Sequence, residues 1–505
     1  MTDKIRVHEE IKEPIAPDRL ANSGHSPVLP RQPAQNFQDY IATAPAASGC
    51  NFKARGPLVG TNMMKFHFTC DLENVRHMFT RNFANYSKGD EFAEVFTVLG
   101  GTIFTADGEP WRRQRARIQH VLTRPELLAF MSRCCRVEVE RGLMPLMSRM
   151  ASTGTPFDMD DVLGRLVFDL SVTLVLGENP ACLSAAMPPV PAASAMDAVM
   201  EVAFLRHTVP GICSTVMRRL NVGPERRLAT AESTLRRFVA ERIHRRIAGE
   251  RTAAGDEDIL SHYVDDQDFL DGDGEPTEFT HRTFINFLVA FRDAMGAALS
   301  WLIYNLAKNP GVVSGIRREL AAIVSRRSGC AISTDTDTAI FNPEETKRLA
   351  YLRAAMFESL RLYPSGPIER KEVVADDVLP SGHRVHAGDV VLVSMYAMGR
   401  MESVWGEDCR EYRPERWLSA AVCGGDPDGP RRLQYVPSYK FLSFNTGPRS
   451  CLGKSIAVAQ MTAIAAAVVW NFDLELVEGH AVVPKVSVVL QMKNGLMLKV
   501  SKRKD

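Results

Sequence analysis

A mainly α fold with minor β is predicted by three observations. Apolar residues recur at three- and four-residue intervals through most of the chain. Alternating apolar and polar runs are few and short. No repeat or linker divides the middle of the 505 residues, so one large helical domain is expected although the length exceeds that of most domains. That domain is expected over 37–505, after an irregular segment over 1–36.

Each element has its own justification. Residues 1–36 are charged and proline-bearing, with no apolar run and no secretory or transit pattern, so no membrane anchor is expected there. Residues 126–146 and 224–251 set helical apolar positions among many charges, as solvent-facing helices do. The stretch 284–306 is far more apolar and reads as a core helix; Arg292 and Asp293 at its middle argue against a membrane span. Residues 453–470 form a small-residue helix suited to close packing under a flat cofactor. Residues 385–393 and 482–499 read as minor strands. Residues 177–195, with Pro180, Pro188, Pro189 and Pro191, and the acidic stretch 256–278 read as surface connections.

Composition excludes several function classes. Sixty-one basic residues nearly balance sixty acidic ones, so no nucleic acid is implied as a partner. Ten cysteines stand without a C-x-x-C or metal spacing, and Cys134 and Cys135 are adjacent. That pattern suits a reducing compartment and offers no disulfide framework.

The most informative stretch runs Phe-Leu-Ser-Phe-Asn-Thr-Gly-Pro-Arg-Ser-Cys-Leu-Gly over 441–453. It sets Cys451 at the end of a constrained loop and the start of a helical pattern, with Phe444, Gly447, Arg449 and Gly453 around it. These spacings suit a thiolate on haem iron. An anionic sulfur needs backbone N–H donors close by, glycine permits that approach, and the positive end of the next helix favours the thiolate. Arg449 can reach a haem propionate, and Phe444 can shield the sulfur from water. The alternative, a buried cysteine in a tight turn, leaves the other four positions without a reason.

The segment resembles the haem-binding loop of the cytochrome P-450 family, F-x-x-G-x-R-x-C-x-G. Three further motifs match the family's pattern. Glu358 and Arg361 stand as E-x-x-R. Tyr412-Arg-Pro-Glu-Arg-Trp417 resembles the P-E-R motif, with Arg416 as third member of a Glu-Arg-Arg triad. Trp111 and Arg115 resemble the W-x-x-x-R pair that holds a propionate, in a cluster that includes Arg112, Arg113 and Arg117. The triad also has a physical basis. Glu358 and Arg361 lie one helical turn apart, and an arginine arriving from a proline-containing loop completes a charge-assisted fork. An exposed i,i+3 pair is the alternative for the triad, and an amphipathic helix with a core tryptophan is the alternative for Trp111. Lys371 is a further propionate candidate, or else a solvated charge beside Arg370.

The resemblance implies a single large helical domain of the cytochrome P-450 type, binding haem b through Cys451. It also implies three partners: an NADPH-dependent flavoprotein reductase, a small lipophilic substrate and a weak peripheral membrane contact, at the cytosolic face of the endoplasmic reticulum. By the same resemblance, the loop at 177–195 lies near the substrate entrance. Motifs such as Phe341-Asn-Pro-Glu-Glu-Thr-Lys347 and Asp376-Asp-Val-Leu-Pro380 resemble the plant branch of fatty-acid ω-hydroxylases and wax alkane hydroxylases, with phenol-coupling enzymes nearby. A haem-thiolate monooxygenase of long-chain fatty acids or alkanes is expected.

One departure touches the chemistry. The family's core helix carries A-G-x-D-T; here Ala290-Phe-Arg-Asp-Ala-Met295 retains the acid, Asp293, but sets Phe291 for glycine and Ala294 for threonine. Without the hydroxyl, water must deliver the proton that Asp293 relays. The change keeps two alternatives open: a haem-thiolate isomerase or dehydratase working on a peroxide, and a haem-binding but catalytically impaired protein.

Overall fold

A computed structural model describes residues 7–8, 51–55, 65–249, 257–264, 269–328, 338–419, 432–485 and 487–503. Helices dominate and the strands are short, so the chain is mainly α with minor β. The polypeptide divides into two compact units. Unit 1 comprises Met1–Glu91, Gly366–Glu411 and Val436–Cys451; unit 2 comprises Phe92–Ser365, Tyr412–Tyr435 and Leu452–Asp505.

Unit 1 is built on a sheet of β1 (Val7–His8), β2 (Asn51–Arg55), β3 (Lys65–Thr69), β4 (Tyr86–Ser87), β5 (Ile368–Val373) and β6 (Val390–Ser394). The spatial order is β1-β2-β3-β6-β5-β4, parallel only where Phe66 registers with Val390 between β3 and β6. Within the segment read as irregular, Val7–His8 thus pairs with β2, and the remainder of 1–36 lies outside the described residues. Val391 and Val393 of β6 pack with Met78, Phe79, Tyr86 and Leu442 in this unit's core. The 385–393 run is not one strand. Arg384–Val385 pairs with Asp377–Val378, a turn through Gly388 at φ +81° intervenes, and β6 begins at Val390.

Unit 2 carries the long helices α1 (Gly108–Leu122), α2 (Met159–Leu176), α3 (Pro191–Thr208), α4 (Gly211–Leu220), α5 (Gly223–Ile247), α6 (Glu278–Lys308), α7 (Ala350–Leu362) and α8 (Lys454–Asn471). Helix α6 starts where Thr277 accepts the Thr280 N–H on its hydroxyl oxygen, which supplies an N-cap. It packs along α2, and α3 packs along α5. Helix α2 stops at Gly177, whose φ of +77° closes the last turn in the left-handed region. Among the described residues α6 alone has the length and hydropathy of a membrane span, and about two thirds of its most apolar stretch is buried in the protein, as expected of a core helix.

The periodic stretch 126–146 divides into Pro125–Glu138, a π-helical turn over Val139–Leu143 and Met144–Thr153. The connection after α2 ends at Val190, because Pro191 is pre-set for a first helical turn. Of the run 482–499, only its end is strand. Met497–Lys502 pairs with Phe472–Leu476 and Phe157–Asp158, and the other described residues of the run form no strand but one isolated bridge, Pro484 to Met492.

Candidate functional site

The cysteine loop closes unit 1. Cys451 donates its backbone N–H to Phe444 O at 2.8 Å, and Ser450 donates to Gly447 O at 3.0 Å. These bonds leave Cys451 exposed at the end of an ordered loop, unlike the buried turn cysteine of the alternative reading. Gly447 sits at φ +67°, and a Cβ there would collide with the Phe79 carbonyl oxygen, so both backbone conformation and space demand glycine. Phe444 is half-buried with its ring edge-on to Phe441 at 6.3 Å, and Arg449 is partly exposed beside it in sequence. Sequence reasoning missed Asn445. It holds φ +57°, ψ −179°, a region nearly confined to glycine, and its side-chain oxygen accepts the Thr446 N–H at 2.7 Å. Nothing in the residue pattern marks it beyond the tolerance of asparagine for positive φ.

Lys371, on β5, is fully buried, which excludes the solvated reading. Its Nζ lies 3.4 Å from Glu369 Oε1 and 4.8 Å from the Phe79 ring centroid, and makes no hydrogen bond among the described residues. Burial pushes its ammonium down to about 8, against the pull of Glu369. Lys88, 2.8 Å from Glu369, is an unforeseen member of this group; against the effect of burial, the two lysines hold Glu369 at about 2. The neighbouring Arg370 pairs with Glu91 at 2.5 Å.

In unit 2 Glu358 gathers Arg361, Arg416 and further donors. Glu358, completely buried on α7, accepts Arg361 Nε and Nη2 at 2.8 Å each and Arg416 Nε at 2.8 Å. It also accepts the Arg413 backbone N–H at 2.8 Å and the Trp417 indole N–H at 2.9 Å. The surface-pair alternative is therefore excluded. Trp417 directly succeeds the P-E-R motif, so its adjacency was the available signal. Tyr412 anchors the same loop by donating to Ala355 O at 2.8 Å.

On α1, Trp111 is buried and the Arg115 guanidinium lies 5.8 Å from its ring centroid, so this pair shares a face. The remaining basic cluster is dispersed. Arg112 and Arg113 face solvent, while Arg117 stacks 4.3 Å over Tyr263 and donates to His262 O at 2.9 Å.

On α6, Ala290 and Ala294 are exposed one turn apart within an otherwise largely buried stretch. Phe291 is half-buried and packs against the core of unit 2. Asp293 is buried, with Oδ1 accepting from Arg292 Nη1 at 2.9 Å and Oδ2 lacking a hydrogen-bond partner among the described residues. Burial raises its carboxyl to about 6, opposed by Arg292 and assisted by Asp197. Arg292, which sequence reasoning used only to reject a membrane span, also pairs with Asp197 of α3 at 2.5 Å.

These features fit a haem. In unit 1 an exposed thiol ends a hydrogen-bonded loop and a buried ammonium makes no hydrogen bond; in unit 2 an arginine lies beside a buried tryptophan and a small-residue face is open on a core helix.

Similarity to known proteins gives the same direction. The chain is 35% identical over 472 residues to noroxomaritidine synthase 1 of Narcissus pseudonarcissus, covering 92% of this chain and 88% of that protein. It is 36% identical to cytochrome P-450 86B1 of Arabidopsis thaliana, over 93% of this chain and 82% of the relative. Alkane hydroxylase MAH1 of the same plant is 34% identical, over 92% and 89%. Residues 50–500 match the family model described as Cytochrome P-450, a span that takes in every motif from Trp111 to Gly453, and the chain belongs to that family.

Proposed function

We propose that this oxidoreductase hydroxylates long-chain fatty acids or alkanes. Membership of the family carries the coarser statements: the cofactor is haem b with its iron, molecular oxygen is incorporated, and electrons generally come from NADPH through a flavoprotein reductase. The substrate class rests on the alkane hydroxylase among the relatives, at 34% identity, and on the chain motifs that resemble the plant fatty-acid and alkane hydroxylase branch.

Bound haem supplies the chemistry of activating dioxygen for insertion into a C–H bond. In this reading Cys451 would hold the haem iron, and the hydrogen bond from its backbone to Phe444 holds the loop that presents it. Trp111, Arg115, Arg449 and Lys371 would hold propionates, and Lys371 would gain the hydrogen-bond acceptor that its buried Nζ lacks. Phe444 keeps water from the sulfur. Asp293 holds or passes a proton at Oδ2, and because Ala294 carries no hydroxyl, a water must take that proton onward. The bulk of Phe291 limits the room beside it.

The test is a reconstituted assay with NADPH, reductase and labelled dioxygen, presenting C12–C30 acids and alkanes. Label in a hydroxylated chain supports the reading; turnover of none of them with the expected reduced carbonyl spectrum removes the substrate class. Cys451→Ser should abolish the thiolate-type Soret band, and survival of that band would remove the ligand assignment. A second reading, oxidative coupling of a phenolic substrate, is favoured by Ala294, since coupling transfers no oxygen to product. It predicts unlabelled coupled product from a diphenol.

Peripheral attachment to the cytosolic face of the endoplasmic reticulum belongs to the same reading. Helix α4 exposes Ile212, Val216 and Leu220 at 72%, 49% and 67%, spaced i, i+4, i+8, beside Arg218 and Arg219. Replacing the three apolar residues with serine should move protein from the membrane pellet to the supernatant.

A further inference from the structure

Within unit 2 a cavity of about 350 Å³ opens between α2, α3 and α6 and the backbone near Met492. Its lining includes Asp158, Asp160, Asp161, Asp197 and Asp293 against three cations, Arg165, Arg292 and Lys485. The cations are already engaged. Arg165 pairs with Asp161 at 3.0 Å, Arg292 with both Asp197 and Asp293, and Lys485 with Glu201 at 2.6 Å. Asp158 and Asp160 form no ion pair among the described residues, although the Arg292 charge acts on Asp160 from farther off. Asp158 accepts the backbone N–H groups of Asp160 and Leu496, and Asp160 accepts the Ser300 hydroxyl at 2.6 Å.

The second observation is the buried Asp293, only 2% exposed at its side chain, whose Oδ2 has no hydrogen-bond partner although it lines this polar space. An unsatisfied carboxylate oxygen in a surplus of negative charge calls for a donor that is itself positive. A bare metal ion does not fit, because no three of the described His, Cys, Asp and Glu side chains gather closely enough to hold one. A cation extended over several atoms does. The volume is that of a small-molecule site, and Phe168, Val190 and Met492 offer apolar surface for an alkyl body. The partly exposed Asp161 and Asp197, at 48% and 36%, set the more accessible side of the cavity, Asp293 its buried side, and the half-buried Asp160 lies on the lining as well.

We infer that this cavity is a binding site for a small aliphatic ammonium ion of the diamine class, held by Asp160 and Asp293. The site shares Asp293 Oδ2 with the proton role proposed above, so a bound diamine competes with that role, but it does not depend on the substrate class. The ligand reaches Asp293 from the α2–α3 side of α6, where Gly296 and Ala297 line the cavity; Ala290 and Ala294 do not line it.

The experiment is isothermal titration of the haem-loaded full chain with 1,4-diaminobutane at pH 7.5, with 1,4-butanediol as the neutral counterpart. One saturable site for the diamine and none for the diol is expected, with the Soret maximum unmoved. Asp160→Asn and Asp293→Asn should each weaken binding at least about tenfold, the loss of one charged hydrogen bond. Haem content and the thermal midpoint establish that each variant is folded, and either variant suffices if the other fails. No saturable binding to 10 mM would mean that water alone fills the cavity and would overturn the inference. Equal binding by wild type and both variants, or a Soret shift to the nitrogen-ligated form, would overturn it by placing the diamine elsewhere.

Discussion

Removing the Glu358 carboxylate is the sharpest test of how the triad works. In the native protein this group accepts from Arg361 twice, from Arg416, from the Arg413 backbone and from the Trp417 indole, all at 2.8–2.9 Å. Both Glu358 and Arg361 have side chains with no exposure, and the Arg416 side chain is 10% exposed. Glu358→Ala strands one fully buried guanidinium, and breaking such a pair by removing one partner costs about 3–5 kcal/mol. The indole and backbone donors lose their acceptor as well, at about 1–3 kcal/mol for each that water cannot reach, although these losses do not add in full. A total near 5 kcal/mol is a third or more of a typical folding free energy of about 5–15 kcal/mol. Glu358→Gln keeps the shape and one carbonyl oxygen but not the charge, and should fall between. The assay is haem content per polypeptide after purification, with the thermal midpoint of what remains folded. Glu358→Ala with full haem occupancy and a stability loss below about 0.5 kcal/mol would refute this account of the triad, because the guanidiniums would then have found solvent.

The same geometry makes three shorter predictions. Gly447→Ala forces a side chain against the Phe79 carbonyl in a left-handed conformation, and should cost more than the roughly 1–2 kcal/mol of backbone strain alone; haem retention and near-UV dichroism report it. Lys371→Met removes a buried charge while Lys88 still pairs with Glu369, so apoprotein stability should hold or rise by about 1 kcal/mol while haem affinity falls about tenfold; unchanged affinity would remove Lys371 from the propionate partners. Asp293 has its folded carboxyl raised to about 6 from 3.8, so its contribution to stability is present below about pH 4 and lost as pH rises through about 6; Asp293→Asn should flatten that part of the pH–stability curve, measured by denaturant titration.

The chain itself determined the helical class, the place of the cysteine loop and the partners in the triad. Each rests on short-range regularity: a 3.6-residue period, a glycine spacing, an i,i+3 pair. Period misled it where only the end of an alternating run finds a ladder, as at 482–499, and where a turn through Gly388 cuts such a run. Burial lay beyond its reach. Arg370 and Lys371 are adjacent cations in the sequence, but the strand places one against Glu91 and seals the other beside Glu369 and Phe79. Likewise only the tertiary structure brings Asp197 of α3 to Arg292 of α6, 95 positions away, and gathers Asp158 and Asp160 around the same cavity as Asp293. The physical reason is that pattern fixes which face of an element is apolar, whereas the charge a side chain feels depends on elements distant in the chain and on how much water they exclude.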